Sequence, residues 1–516
     1  MSVPIGLAEH LEHPLARGHT PDGAHTGAAG GAACGDLIRV SLAVDASDPG
    51  GRIVEAGFDA EGCGAAIAAG SAAVALLRDT SVLQAALIGP KTIATELGGL
   101  SPAKRHAAEL AADALHRALG AALRSEVQLA PARNRTLVAM SGGVDSAVAA
   151  LLVARAGGEA VAVTLELWAD PANDGERSCC SAQAVRGARA VAHELGVPHF
   201  SIDLREEFRA GVVDPWLQGY AAGETPNPCV RCNGSVRIDA MLELADRLGA
   251  RELATGHYAR VCGDGPAPDD GLAPEAGLAP GEDAGVCPDG SGQLLRMAVD
   301  RHKDQSYALC GLAPASIARL RLPLGQLTKP EVRAIAREAG LAVARRADSQ
   351  DLCFLAGTGR GEFLARHGRV ERESGPIVDR AGDVLGEHGG VHTVTVGQRR
   401  GLGGGRGLNA SGEPLFVLAT DAATNTVTVG SREELLAETI GVRDVTLHRE
   451  AALVDAVKVR YRGPRLPCRV YGEHVPGTHE AIEVRLQDPA ERTAPGQIAC
   501  LYAGEAIVGH GAIVAV

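Results

Sequence analysis

Arg135-Thr136-Leu137-Val138-Ala139-Met140-Ser141-Gly142-Gly143-Val144-Asp145-Ser146 is the stretch that decides the fold. An apolar run turns through Ser-Gly-Gly into an Ala/Val/Leu-rich segment, Ala147 to Ala156, that reads as a helix. A strand turning so tightly into a helix aims backbone N–H groups and the helix's positive end at one point, a geometry that binds phosphate or pyrophosphate. Gly142 and Gly143 permit close backbone approach, Ser141 and Ser146 carry donors, and Asp145 is placed to hold Mg²⁺. The Gly-Lys-Ser/Thr of a Walker-type loop is absent, which excludes an ordinary γ-phosphate site.

Outward from this turn the chain alternates strand and helix. The expected strands are Thr136–Met140, Ala160–Leu167, His199–Leu204 and Glu252–Gly256, with helices between them that include Ala182–Leu195 and Val236–Leu248. Such alternation predicts a parallel sheet covered on both faces, with ligands at the carboxyl ends of its strands. Upstream, residues 1–30 are rich in Gly, His and Ala and read as a disordered tail. Residues 31–128 read as a small α+β domain: strands at Asp36–Val44 and Ile53–Phe58, helices at Ala65–Leu77 and Ala103–Leu123, and a boundary near Leu129-Ala130-Pro131. The nucleotide domain is expected over 129–355. Beyond Gly375 the helical signal fades into short strands, His392–Val396, Leu415–Ala419 and Thr426–Val429 in a linking domain (356–438), then a β-barrel over 439–516.

Composition bounds the class. The chain has 516 residues and is 46% hydrophobic, enough for several cores. It lacks a membrane-length apolar run or a secretion signal, so a cytoplasmic protein is expected. The net charge of −13 argues against a nucleic-acid partner until its distribution is seen: seven acidic residues and no Lys or Arg lie between Cys262 and Gln293, which reads as a flexible insertion. Elsewhere Lys458-Val459-Arg460-Tyr461-Arg462, with Arg465 and Arg469, is a basic cluster suited to RNA phosphates, and Gln398-Arg399-Arg400-Gly401-Leu402-Gly403 is a second basic turn.

Twelve Cys in such a chain suit core, redox or metal roles better than a disulfide framework. Thr225-Pro226-Asn227-Pro228-Cys229-Val230-Arg231-Cys232-Asn233 is a proline-stiffened loop with C-x-x-C spacing, and Cys232 is expected near a helix N-terminus. No second pair completes a zinc site; a further Cys stands in Asp348-Ser349-Gln350-Asp351-Leu352-Cys353-Phe354.

The Ser141–Ser146 turn resembles the PP-loop of ATP pyrophosphatases, which adenylate a substrate oxygen. Together with the two cysteine loops, Ala254-Thr255-Gly256-His257-Tyr258, Lys303-Asp304-Gln305-Ser306-Tyr307, Arg460-Tyr461-Arg462 and Pro495-Gly496-Gln497, it makes residues from Arg135 onward resemble the tRNA-specific 2-thiouridylases (MnmA family). The resemblance implies ATP-dependent thiolation of a tRNA wobble uridine at C2, with base extrusion. It assigns ATP contacts to Ala139, Met140, Ser141, Gly142, Gly143, Val144, Asp145, Ser146, Leu165 and Gly256. Cys353 would carry a persulfide and Cys232 would resolve it, leaving a Cys232–Cys353 disulfide. Asn227, Pro228 and Cys229 would line the target base; His257, Lys303, Asp304, Gln305, Arg460, Tyr461 and Gln497 would touch tRNA. Cys229 leaves open a second route, in which Cys229, Cys232 and Cys353 ligate a [4Fe–4S] cluster.

A second resemblance rests on Ala33-Cys34-Gly35-Asp36, Gly57 to Ala68 and Leu100-Ser101-Pro102-Ala103-Lys104-Arg105-His106-Ala107, which look like the IscU/NifU iron–sulfur scaffold. It implies that Cys34, Asp36, Cys63 and His106 hold Zn²⁺ or iron, while Ala107 replaces the expected third scaffold cysteine. The implied architecture is multidomain: an α+β IscU-like domain, an α/β doubly wound PP-loop domain (adenine nucleotide alpha hydrolase-like), a small linking domain and a C-terminal β-barrel that binds tRNA. The implied partners are tRNA and a sulfur donor, either a cysteine desulfurase or a sulfur relay protein, with no DNA and no membrane. Two other classes share the loop or the scaffold, a PP-loop amide synthetase and a non-enzymatic iron–sulfur carrier. The first has no use for Cys232 and Cys353, and the second none for an intact Ser141–Ser146 turn.

Overall fold

A computed structural model describes residues 6–30, 35–170, 181–262, 293–347, 352–355, 358–368, 373–402 and 413–515. They belong to two compact units. One combines Met1–Arg205, Asp239–His257 and Arg319–Phe354; the other combines Glu206–Ile238, Tyr258–Ala318 and Leu355–Val516.

The first unit opens with helix α1 (Leu7–Glu12) and an antiparallel sheet in the order β1 (His25–Gly30), β2 (Leu37–Val44), β3 (Ile53–Glu61). In β2, alternate residues Ile38, Val40 and Leu42 are buried, as a strand with one core face requires. Residues 6–30 are therefore not a disordered tail. The small side chains that suggested disorder serve packing instead: a Cβ at Gly27 would fall 2.2 Å from the Ala114 carbonyl oxygen, so the strand and a helix touch backbone to backbone. That helix is α3 (Arg105–Ser125), which follows the Ala-rich α2 (Gly64–Ala75).

The same unit contains a five-stranded parallel sheet built from β4 (Ala132–Ala139), β5 (Glu159–Glu166), β6 (His199–Asp203), β7 (Ala250–Ala254) and the two-residue β8 (Leu320–Arg321). Its order is β8-β7-β4-β5-β6. Helices α4 (Val144–Arg155), α5 (Ala182–Glu194), α6 (Asp239–Arg247) and α7 (Lys329–Glu338) accompany it. The helix expected from Val236 is present: Val236–Ile238 form a wider helical turn that runs directly into α6, just beyond a kink at Gly234 (φ −69°, ψ −108°). Strand β6 is a sheet edge, and α3 covers it: a Cβ at Gly120 would lie 2.0 Å from the Ser201 carbonyl oxygen.

A buried polar network reinforces this contact. Asp113 of α3 accepts from Arg186 Nε and Arg189 Nη2, each at 2.7 Å, and Arg189 is only 2% exposed. Arg117 holds Glu166 at the end of β5 through two bonds of 3.1 and 3.0 Å. The N-terminal α+β layer is thus packed onto the parallel sheet.

The second unit contains a closed six-stranded barrel. Its order is Leu436–Leu447, Gly477–Glu491, Leu466–Tyr471, Ala456–Lys458, Ile498–Ala503 and Ala506–Ile513, the last pairing with the first. Val442, Val457, Val484, Leu501 and Val508 fill it. The hairpin Ala259–Cys262 and Leu294–Met297 extends the sheet beyond Ala506–Ile513. The intervening acidic insertion lies outside the described residues. A four-stranded sheet comprises Val384–His388, Gly375–Val378, Thr426–Gly430 and Phe416–Asp421. The strand expected at His392–Val396 is a single 3₁₀ turn, Val391–Thr393, with His392 buried. Among the described residues, no helix is long and apolar enough to cross a membrane.

Candidate functional site

In the first unit the Ser141–Ser146 turn joins β4 to α4. Gly142 adopts φ +72°, and a Cβ there would meet the Ala184 carbonyl oxygen at 2.6 Å, so this position needs glycine twice over. Gly143 is the helix's N-cap in extended conformation, with no side chain capping it among the described residues. The first-turn N–H groups therefore lack a side-chain cap, the arrangement that suits an anion. Ser146 Oγ accepts from the Ser141 amide at 3.1 Å and lies 3.2 Å from Ser141 Oγ, which locks the turn. Gly256, just past β7, presses on the same turn: its Cβ would stand 2.7 Å from the Ser146 nitrogen. Leu165 is buried on β5. Ala139, Met140, Val144 and Leu165 thus line up at the carboxyl end of the sheet with Gly256.

Two cations that the motif does not contain complete this turn. Lys329 Nζ donates to both carboxylate oxygens of Asp145, at 2.7 and 2.8 Å, and Arg346 Nη1 donates to the Gly142 carbonyl at 2.9 Å. Lys329 opens α7 behind a Thr328/Glu331 capping box and is 8% exposed. Sequence reasoning missed it. The available signal was scarcity: the chain has only five Lys against 45 Arg, so each Lys stands out. His257 follows Gly256 with Nδ1 2.9 Å from Thr255 Oγ1. Cys353 is half-exposed at the start of a 3₁₀ turn whose Phe354 packs edge-on against Trp168, centroids 6.4 Å apart. Asp348 to Asp351 lie outside the described residues.

The N-terminal layer assembles a second cluster. Ligand atoms of Asp36, Cys63 and His106 lie within 4.8 Å of one another. Cys63 Sγ is 3.2 Å, and His106 Nε2 3.0 Å, from Asp36 Oδ2. The other ring nitrogen, His106 Nδ1, is 2.9 Å from the Ala103 carbonyl, the outer contact that orients a metal-binding imidazole. Burial opposes the Asp36 charge, but the Cys63 amide and His106 outweigh it and hold the carboxyl below its ordinary value. One sulfur, one nitrogen and one carboxylate oxygen converging at this distance suit Zn²⁺ or iron. Cys34 lies outside the described residues.

The second unit carries the remaining residues. Asn227 caps a single helical turn, Pro228–Arg231, accepting from the Cys229 amide at 3.0 Å and the Val230 amide at 3.4 Å. Cys229 is exposed in the first turn. Cys232 was expected near a helix N-terminus; it sits instead at the C-terminal end of this turn, 7% exposed, because the next regular helix begins only beyond Gly234. Tyr461, 39% exposed, packs against the fully buried Tyr307, with ring centroids 6.3 Å apart and planes inclined at 56°. Lys458 Nζ lies 5.9 Å over the Tyr307 ring.

The expected RNA contacts divide in two. Arg460 and Tyr461 are exposed and Lys303 half-exposed. Asp304 is not available to RNA: it is 4% exposed, accepts from the Ala298 amide and Ser306 Oγ, and faces Lys458 at 3.8 Å. Lys458 is likewise buried, so the basic cluster presents Arg460, Arg462, Arg465 and Arg469 rather than all its cations. Gln305 clamps Tyr258, accepting from its amide at 2.9 Å. Gln497 donates to the Thr225 carbonyl, tying the barrel to the cysteine loop. Cys310, Cys468 and Cys500 are buried, and burial pushes the Cys468 thiol up to about 12, as core residues rather than nucleophiles.

Comparison with known proteins places these features in one lineage. Residues 6–127 match the NifU-like N terminal domain, 134–357 the tRNA methyl transferase HUP domain, 361–431 the tRNA methyl transferase PRC-barrel domain and 442–513 the aminomethyltransferase beta-barrel domain. The bifunctional protein NifU/MnmA of Rubrobacter xylanophilus is 43% identical, over 98% of this chain and 97% of that protein. The tRNA-specific 2-thiouridylases MnmA of Sorangium cellulosum and Geobacter metallireducens are each 41% identical, covering 73% and 74% of this chain and 92% and 96% of theirs. The two shorter relatives match about three quarters of the chain, whereas the Rubrobacter protein matches it from end to end. The chain belongs to the MnmA family of tRNA-specific 2-thiouridylases, in the bifunctional form that carries a NifU-like domain.

Proposed function

We propose that this protein thiolates the wobble uridine of tRNA at C2, using ATP to turn the carbonyl oxygen into a leaving group. The observation that carries the reading is an intact Ser141–Ser146 turn in a chain that also sets an exposed Cys229 and a buried Cys232 on one Asn227-capped turn. The first-turn amides of α4, Ser141 and Ser146 hold the phosphates, and Ala139, Met140, Leu165 and Gly256 seat the rest of the nucleotide. Asp145 would hold Mg²⁺, which neutralises phosphate charge, and Lys329 orients that carboxylate.

The uridine O2 attacks the α-phosphorus of ATP and pyrophosphate departs. A persulfide on Cys353 then attacks C2 and AMP leaves. The Cys232 thiolate attacks the Cys353 sulfur, so the 2-thiouridine departs as Cys232 and Cys353 form a disulfide. An external thiol restores both for the next turnover, and a cysteine desulfurase or relay protein reloads the persulfide. Asn227, Pro228 and Cys229 line the extruded base, while His257, Lys303, Gln305, Arg460, Tyr461 and Gln497 contact the tRNA around it. Asp36, Cys63 and His106, with Cys34, would hold Zn²⁺ or iron in the NifU-like layer, where such a metal would support iron–sulfur chemistry.

The test is anaerobic thiolation by Cys229→Ala, Cys232→Ala and Cys353→Ala with iron quantified for each. The persulfide route requires activity without bound iron at these positions and loss in the last two variants. Activity that tracks iron held by all three thiols replaces it with a [4Fe–4S] route. An active Cys353→Ala enzyme refutes both.

A further inference from the structure

A cleft of about 670 Å³, its mouth included, lies between the barrel and the four-stranded sheet, on the scale of a small-molecule site. The register of the barrel explains it. Ala437 pairs with Ala490 and Thr439 with Arg485, so one strand advances two residues while its partner advances five. The longer strand must bow outward at this irregularity, and Ala437, Thr439, Leu486 and Ala490 line the opening. Val396 and Leu418 contribute the wall from the linking domain. Two polar groups in this largely apolar lining have no protein partner. Arg492 is half-buried, no carboxylate pairs with it among the described residues, and its Nε is closed to solvent without a hydrogen-bond partner. Thr493 Oγ1 is in the same condition. Glu491 also lines the cleft, but its Oε1 is committed to Arg432, 3.1 Å from Nε and 3.0 Å from Nη2. What remains is one guanidinium without a carboxylate beside a hydroxyl, a pair that calls for an anion.

The surroundings point to which anion. A Cβ at Gly397 would stand 4.0 Å from the Arg492 carbonyl oxygen, and the turn that Gly397 opens exposes Arg399 and Arg400. The second basic turn of the sequence thus stands at the cleft, directly after Val396 of its wall. Pro495 also lines the cleft, and its carbonyl accepts from the Thr225 amide at 2.7 Å, so one residue serves both the cleft and the start of the cysteine loop. A free phosphate has no use for aliphatic walls, and an aliphatic ligand has none for a guanidinium. A nucleotide has both parts, a flat base with apolar faces and a phosphate charge. We propose that this cleft is a second RNA pocket, which holds one unpaired anticodon-loop nucleotide other than the target uridine, its phosphate on Arg492 and its base against the aliphatic wall. The inference rests on the tRNA reading above and adds where the loop is gripped. The lining contains no aromatic ring, so fit rather than stacking holds the base.

The experiment uses the full chain and an anticodon stem-loop, intact or with a single abasic site at each loop position in turn. Affinity at several salt concentrations, KM and kcat for thiolation, and thermal melting are measured for wild type, Arg492→Met and Ala437→Phe. Arg492→Met keeps the apolar stem and removes the charge; Ala437→Phe keeps the charge and fills the cleft. In wild type, one abasic position besides the wobble site should weaken binding about tenfold. Each variant should bind the intact stem-loop about tenfold more weakly and lose the effect of that position, with kcat at saturating RNA little changed. Arg492→Met should also lower the slope of log affinity against log salt by about 0.7, the loss of one single-strand phosphate contact. Folded variants with wild-type affinity and salt slope overturn the proposal, and so does a loop in which only the wobble position matters to wild type. Variants that bind RNA normally but lose reloading by the sulfur donor also overturn it, assigning the cleft to a protein. If wild type binds the stem-loop without thiolating it, the thiolation reading fails while the abasic series still judges the pocket. A wild type that binds no RNA overturns both.

Discussion

Gly256→Ala tests whether the end of β7 and the phosphate turn act as one piece. The new Cβ would lie 2.7 Å from the Ser146 nitrogen, 2.8 Å from the Asp145 carbonyl carbon and 2.9 Å from the Ser146 Cα. All three are backbone atoms in the first turn of α4, so no side chain can swing aside. Reaching the 3.4 Å at which ordinary contact begins requires the turn and the strand end to separate by 0.7 Å. Overpacking of this kind costs about 1–3 kcal/mol of stability. Displacement of a reacting group by about 1 Å costs on the order of 10²-fold in rate, so a shift somewhat smaller should cost some tens-fold. The assay is tRNA-dependent ATP–pyrophosphate exchange, read beside thermal melting. Gly386→Ala is the control, because a Cβ there meets nothing within 4 Å. Exchange should fall tens-fold in Gly256→Ala with a lowered melting point, and Gly386→Ala should match wild type. If Gly256→Ala retained wild-type exchange and stability, the close contact would not govern the phosphate turn, and the reasoning would be wrong.

Removing Asp113 leaves Arg189 buried without its carboxylate, a change worth about 3–5 kcal/mol; Asp113→Ala should melt earlier and expose the segment near residues 129–131 to limited proteolysis. Calorimetric titration of the metal-free chain with Zn²⁺ should show binding that Cys63→Ser and His106→Ala each weaken at least about tenfold, and that weakens as pH falls because both ligands bind in deprotonated form. His510 is lowered from 6.5 to about 4, first by burial and then by His448. Its folded-state pKa lies below its unfolded one, so the unfolded chain takes the proton first on acidification. The contribution is complete above about pH 6.5 and lost as pH falls toward 4. At about 1.4 kcal/mol per pH unit it amounts to no more than about 3.5 kcal/mol. Urea midpoints at pH 7 and pH 5 should differ less in His510→Gln than in wild type.

Local chemistry was legible wherever neighbours in sequence are neighbours in space. The phosphate turn is such a case, since six consecutive residues contain the conformation, the donors and the helix end. So is the Asn227 cap, which reaches only two and three residues ahead. The alternation of strands and helices around Met140 likewise announced a parallel sheet, because each strand's burial on both faces is written in its own apolar run. Small residues were legible only in part. The glycines and alanines of 25–30 looked like slack chain because nothing nearby says that α3, some ninety residues later in sequence, lies across them. A backbone that packs on a backbone leaves no apolar signature.

What the sequence alone determined, then, was a set of local groups: the Ser141–Ser146 turn, the cysteine loops around Cys229, Cys232 and Cys353, and an alternating sheet, each spelled out by short-range pattern. Tertiary structure decided the company those groups keep. Lys329 meets Asp145 across 184 residues, Tyr307 reaches Ile498 across 191, and Asp304 turns inward to Lys458. Charge compensation and hydrogen-bond polarity act through distances of a few ångströms in space, and chain order carries no record of those distances until the fold is made.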